Sequence, residues 1–147
     1  MELPDRLYQK VVNLSERGDH EAEAERFDRA LDLYRQAYAL LPEPAEQWTA
    51  ATWLLGAIGD AQFFSGDLTQ AAETFRKSLN SADGLGNAFL HLRMGQCLFE
   101  LGETSEAMDQ LTRAYMAGGR DIFADQNPKY FRALEAILLP PPGSKTL

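Results

Sequence analysis

Three small or bulky positions in this chain come round three times. Ala30, Ala71 and Ala107 share one register; Tyr34, Phe75 and Leu111 share a second; Ala37, Ser78 and Ala114 share a third. Each set is offset by 41 and then 36 residues, and Gly59 meets Gly95 across the second offset. Within each repeat the three positions are spaced by four and then three residues, which lines up one face of a helix. The clearest unit is Thr52 to Asp83, two helical patterns joined at Ser65-Gly66-Asp67. A helical pair that recurs buries its apolar face only against its neighbours, so the chain must stack. The expectation is an all-α array of about three helical hairpins, with repeats at 4–44, 45–83 and 86–119 and a capping helix at 127–139.

Taken in order, residues 4–17 form a first helix striped by Leu7, Val11 and Leu14, and Gly18-Asp19 breaks or bends the chain. A second helix runs from about Glu21 to Leu41 and buries Phe27, Ala30, Leu31, Tyr34, Ala37 and Tyr38; Pro42-Glu43-Pro44 stops it. The helix from about Ala45 to Phe64 is apolar nearly all round, the mark of a helix that is buried or has a partner. Its mate, 67–80, is amphipathic, with Asp67 at the N-cap. Helices follow at 88–101 and 105–117. Gly118-Gly119 ends the last of these, and Asn127-Pro128 opens the capping helix that covers the end of the array. Residues 1–139 therefore read as one domain and 140–147, beginning with three prolines, as a flexible tail.

Charge narrows the partner. Between Glu43 and Asp109 ten acidic residues face only Arg76, Lys77 and Arg93, so this window carries −7 of the net −8. Phosphate binding needs lysine and arginine, which argues against nucleic acid. A basic protein is attracted instead, unless the acidity serves solubility alone. No apolar run approaches the roughly 20 residues that span a bilayer, and Met1-Glu2-Leu3-Pro4-Asp5 resembles no signal peptide. One cysteine, Cys97, forms no internal disulfide, and the cytoplasm is the expected location. His20 and His91 are far apart in sequence, no nucleophile motif occurs and no metal-ligand spacing appears. The chain is not expected to be an enzyme or to carry a metal or cofactor. Cys97 reads as core filler and His91 as a buried or interhelical residue.

The recurring small and bulky positions resemble the tetratricopeptide repeat (TPR) family over residues 21–117. The resemblance implies that the first helix of each repeat lines a concave inner wall. In the second repeat that register sends Trp53, Ala57, Asp60, Phe63 and Phe64 to the wall. In the third it sends Phe89, Leu92, Arg93, Gln96, Phe99 and Glu100. The first repeat offers Tyr8, Val12 and Glu16. Of these, Trp53, Asp60, Phe63, Phe64, Phe89, Arg93, Gln96 and Glu100 are the candidate partner-binding residues, because buried aromatics and arginine dominate binding energy at protein interfaces. Two readings stand for several of them. Trp53, Phe63 and Phe89 are either core or contact residues; Asp60 and Arg93 either pair with each other or meet a partner.

A narrower resemblance rests on Leu40–Pro44 (LLPEP), Thr52–Asp60 (TWLLGAIGD), 86–102 (GNAFLHLRMGQCLFELG), 111–119 (LTRAYMAGG) and 127–131 (NPKYF). These stretches are similar to small bacterial TPR proteins often encoded beside polymorphic toxins of the Rhs and contact-dependent type. That resemblance implies an immunity protein, which binds one basic toxin domain and blocks it. The alternative is a secretion chaperone of class II type, or another TPR adaptor, that cradles an extended peptide. The Trp48–Phe64 surface leaves a homodimer open as well.

Overall fold

The computed structural model describes residues 2–138 and 142–147. Among the described residues it contains seven α-helices and no strand. These are α1 (Asp5–Glu23), α2 (Phe27–Ala39), α3 (Thr49–Phe64), α4 (Leu68–Leu79), α5 (Ala88–Glu100), α6 (Thr104–Gly118) and α7 (Pro128–Glu135). Short 3-10 turns occupy Ala45–Gln47 and Arg120–Phe123. The chain divides into two compact units, Met1–Leu85 and Gly86–Leu147.

In the first unit α1 pairs with α2, and α3 lies against both α2 and α4. This explains why α3 is apolar nearly all round: Ala51, Leu54, Leu55, Ile58 and Ala61 are buried on its several sides. Polar side chains stitch α3 to α4. The Ser78 hydroxyl donates to the Thr52 carbonyl at 2.7 Å, and the Thr74 hydroxyl donates to Gln62 Oε1 at 2.6 Å. At the start of α3 the Trp48 indole N–H donates to the Pro42 carbonyl at 2.8 Å. Asp67 caps α4 by accepting from the Gln70 amide at 3.3 Å.

All nine residues of the three registers are buried. The geometry extends the register of Gly59 and Gly95 to Gly18, which reads in the sequence as a break or bend. A Cβ on Gly18 would lie 2.6 Å from Cε1 of Tyr34, one on Gly59 2.7 Å from Cε1 of Phe75, and one on Gly95 2.7 Å from Cδ2 of Leu111. Each glycine therefore receives the bulky side chain 16 residues later. Gly18 is missing a side chain because Tyr34 fills that space. It does not break the chain, and α1 runs through it to Glu23.

The actual break comes at Ala24-Glu25-Arg26, where Glu25 has a φ of 60°. Gly66 and Gly102, 41 and then 36 residues further on, have φ values of 92° and 82°. The same closing bond follows each of the three. The amides of Arg26, Asp67 and Glu103 donate to the carbonyls of Glu21, Gln62 and Leu98, each at 2.9 Å. Glu25 thus stands where its counterparts are glycine, and a side chain in this left-handed conformation costs about 1–2 kcal/mol. Glu25→Gly is accordingly expected to raise stability by about 0.5–1 kcal/mol, once the freer unfolded chain offsets part of the relief. Thermal unfolding checks it, and an unchanged or lower Tm would show that the Glu25 side chain compensates for its backbone.

In the second unit α5 and α6 form a hairpin. His91 is buried between them. The Gly86 amide donates to its Nε2 at 3.1 Å, so the proton sits on Nδ1 and is donated to Gln110 Oε1 at 2.7 Å. Cys97 is buried. Asn127 caps α7 by accepting from the Lys129 amide at 3.0 Å, with Pro128 opening the helix. Tyr130, Phe131 and Leu134 then join Leu92, Leu111, Ala114 and Phe123 in one cluster. The capping helix ends at Glu135, four residues before the expected Leu139; Leu139, Pro140 and Pro141 lie outside the described residues. In the expected tail, Leu147 packs beside this cluster and its main-chain oxygen accepts from Arg120 at 3.2 Å.

Candidate functional site

On α3, Trp53, Ala57, Asp60 and Phe64 follow at spacings of four, three and four, which places them along one stripe. In the first unit part of this stripe meets the end of α1 across a hollow of about 350 Å³. Asp19, Ala22 and Glu23 come from α1, Phe27 and Tyr34 from α2, and Ala57, Asp60, Ala61 and Phe64 from α3. The pairing of Gly18 with Tyr34 aims this arrangement: the ring rests on the bare backbone of α1, and its hydroxyl reaches Asp19 Oδ1 at 2.6 Å. Burial, and then the Asp19 bond, hold the Tyr34 phenol well above the ordinary range, so it stays a donor and fixes that carboxylate. Phe64 is 56% exposed and stacks edge-to-face on Phe63 with ring centres 5.2 Å apart. The hollow thus combines three carboxylates with aromatic walls. Such a lining offers opposite charge and ring faces together, the combination that attracts a cation.

Of the expected residues in this unit, Asp60 and Phe64 line the hollow, and Phe63 packs on Phe64. Trp53 stands apart from it at 37% exposure. Asp19, Glu23, Phe27 and Tyr34 were not among the candidates. The signal that would have found them is the 41-residue offset applied to Gly59, which returns Gly18 and carries Asp60 onto Asp19 and Phe64 onto Glu23.

In the second unit the corresponding stripe is Phe89, Arg93, Gln96 and Glu100 on α5. Phe89 is half exposed, while Arg93 and Gln96 are buried. The Arg93 guanidinium sits 5.0 Å from the centre of the Phe89 ring. Its Nη1 donates to Gln96 Oε1 at 2.9 Å and to Gln126 Oε1 at 3.0 Å, and Gln96 Nε2 donates to Gln126 Oε1 at 2.8 Å. Glu100 pairs with Lys129 and accepts from the Tyr130 hydroxyl at 2.7 Å. Lys129, and then Tyr130, hold the Glu100 carboxyl below its ordinary value. Burial followed by the Glu100 bond raises the Tyr130 phenol. Tyr130 also stacks edge-to-face on Phe99 at 5.3 Å. Side chains from Gln126 to Tyr130 therefore occupy this stripe. The sequence placed them at the end of the array, because neither a loop glutamine nor one lysine carries a periodic signal.

Among the described residues no group of three or more His, Cys, Asp or Glu is placed to hold a metal ion. Among them, too, no helix is long and apolar enough to cross a membrane.

A family model described as tetratricopeptide repeat matches residues 9–84. No curated protein matches the sequence. Among solved structures, the chain is similar to the first TPR of Spaghetti (RPAP3) bound to the HSP90 peptide SRMEEVD. That match has 18% identity and a TM-score of 0.69, and covers 87% of this chain and 90% of that one. It is also similar to the Yersinia enterocolitica type III secretion translocator chaperone SycD, at 14% identity and a TM-score of 0.68, covering 88% and 91%. A complex of SycD with a peptide of the translocator YopD matches at 16% and 0.69, covering 91% and 93%. At these identities the likeness is one of fold.

Proposed function

This chain belongs to the tetratricopeptide repeat family of protein-interaction modules, and on that premise we propose that it captures a basic segment of a partner protein in the hollow of Asp19, Glu23 and Asp60. The observation that carries this reading is that those three acidic residues line one hollow together with Phe27, Tyr34 and Phe64. A lysine or arginine finds both an opposite charge and a ring face there, whereas an acidic or purely aliphatic side chain finds only one or neither. The surplus of acid over base in the whole chain steers such a partner inward and raises the encounter rate.

The first use of this capture is immunity. The segment belongs to a folded toxin domain, and holding it blocks the domain in the cytoplasm; the resemblance of Leu40–Pro44, Thr52–Asp60 and 86–102 to toxin-associated TPR proteins supports this use. The second use is that of a chaperone or adaptor holding an extended, unfolded segment. Its support is that two of the structurally similar TPR proteins were solved with peptides, SRMEEVD and a piece of YopD.

Co-expression with basic toxin domains of the Rhs and contact-dependent type, together with titration of the folded domains and of excised segments, decides between them. Immunity predicts restored growth and a folded domain that binds at least about 100-fold more tightly than any excised segment. A chaperone predicts that the segment alone carries the affinity and that growth is not restored. If neither the domain nor any segment binds, the capture reading is wrong.

A further inference from the structure

The first unit holds a second, larger hollow. It measures about 500 Å³, and its walls include Tyr8 of α1, Trp48 just before α3 and Trp53 on α3, with Glu2 and Asp5 at its edge. Two of the three aromatics are well exposed for their size, Tyr8 at 47% and Trp53 at 37%. Trp48 is buried and its indole N–H is committed to Pro42, so Tyr8 and Trp53 supply the exposed rings of the hollow. Three aromatic rings beside two carboxylates repeat the chemistry of the first hollow with different residues. An aliphatic occupant would leave Glu2 and Asp5 desolvated beside it, and an anion would be repelled. An organic cation satisfies the rings and the acids together.

We propose that this hollow is a second anchor, and that it takes an arginine or lysine four or five residues away, along one extended segment, from the basic side chain held by Asp19, Glu23 and Asp60. The proposal rests on the capture reading of that first hollow. The spacing follows from α3, which lines both. Its contributions, together with Trp48, centre near residue 50 for the second hollow and near residue 60 for the first. Ten helical residues rise about 15 Å. An extended chain covers about 3.3–3.6 Å per residue, so four or five residues join the two anchors. A stiff, extended segment with its basic residues adjacent, or eight apart, engages one hollow at a time.

The test uses the full chain and labelled fourteen-residue proline-rich peptides, which stay extended at about 3.1 Å per residue, carrying one arginine, or two arginines one to eight positions apart. Fluorescence anisotropy at low salt is expected to show an optimum at a separation of four or five, about five- to tenfold tighter than the single-arginine peptide. Trp53→Ala removes that optimum. Tyr8→Ala, a second change at an exposed site, lowers it several-fold, and melting curves of both variants verify that they fold. Binding of the paired peptides without an optimum, or an optimum that survives Trp53→Ala at wild-type strength, overturns the second anchor and leaves the first hollow standing. Failure of every peptide to bind, or single-arginine binding unmoved by Asp60→Lys, overturns the capture reading and the second anchor with it.

Discussion

Trimming Phe75 to alanine is expected to cost about 3–5 kcal/mol of folding stability, because the ring is fully buried where α4 meets α3. In a chain of this length that lowers Tm by roughly 10 °C. The sharper form of the prediction concerns its partner, Gly59. Alanine there gains about 1 kcal/mol of helix propensity. Its Cβ, however, would lie 2.7 Å from Cε1 and Cζ of the Phe75 ring, which is enclosed and cannot swing aside. Overpacking of that kind costs about 1–3 kcal/mol, so Gly59→Ala alone should destabilise. In the Phe75→Ala background the clash is gone and a cavity stands in its place, so the same Gly59→Ala should stabilise by about 1 kcal/mol. Urea unfolding of the four forms of this cycle measures the reversal of sign. Equal effects of Gly59→Ala in both backgrounds would show that Phe75 is not what demands the glycine.

The same pair explains what could be read from the sequence and what could not. The all-α array with a capping helix was legible because Ala71, Phe75 and Ser78 carry their spacing openly, and the same spacing returns at Ala30 and Ala107. Gly18 was not legible. A glycine followed by aspartate is an ordinary turn signal, and only the position of the Tyr34 ring distinguishes a glycine that turns from one that makes room. The true turn at Glu25 was hidden for the converse reason: its left-handed backbone is borne by a residue that advertises nothing of the kind. One misread glycine cost the register and the end of the first helix. Asp19, Glu23, Phe27 and Tyr34 therefore escaped the candidate list, although Asp60 and Phe64 across the same hollow were on it. Arg93, Gln96 and Glu100 were placed by register, but register says nothing of the Gln126, Lys129 and Tyr130 side chains that meet them.

Reversing the charge of Glu23 and Asp60 together should weaken the basic partner at least about 100-fold. Two opposite charges about 6 Å apart interact by roughly 2–3 kcal/mol at an effective dielectric of 20, and each reversal turns that attraction into repulsion. Salt and exposure reduce the effect, which leaves roughly tenfold or more per reversal. Asp19 is left untouched, since its bond to the Tyr34 hydroxyl ties it to the packing of α1 on α2 and its loss would confuse binding with stability. The control is Glu103→Lys, the same change of charge at an exposed position at the start of α6, outside the lining of the hollow. Titration against the cognate domain or segment at two salt concentrations separates local from global effects. If the hollow is the seat of capture, Glu103→Lys moves affinity by less than about threefold, and the Glu23→Lys, Asp60→Lys protein also loses much of its salt dependence. If Glu103→Lys weakens binding as much as either reversal does, the acidity acts only through the field of the whole protein, and the three acidic residues of the hollow confer no site.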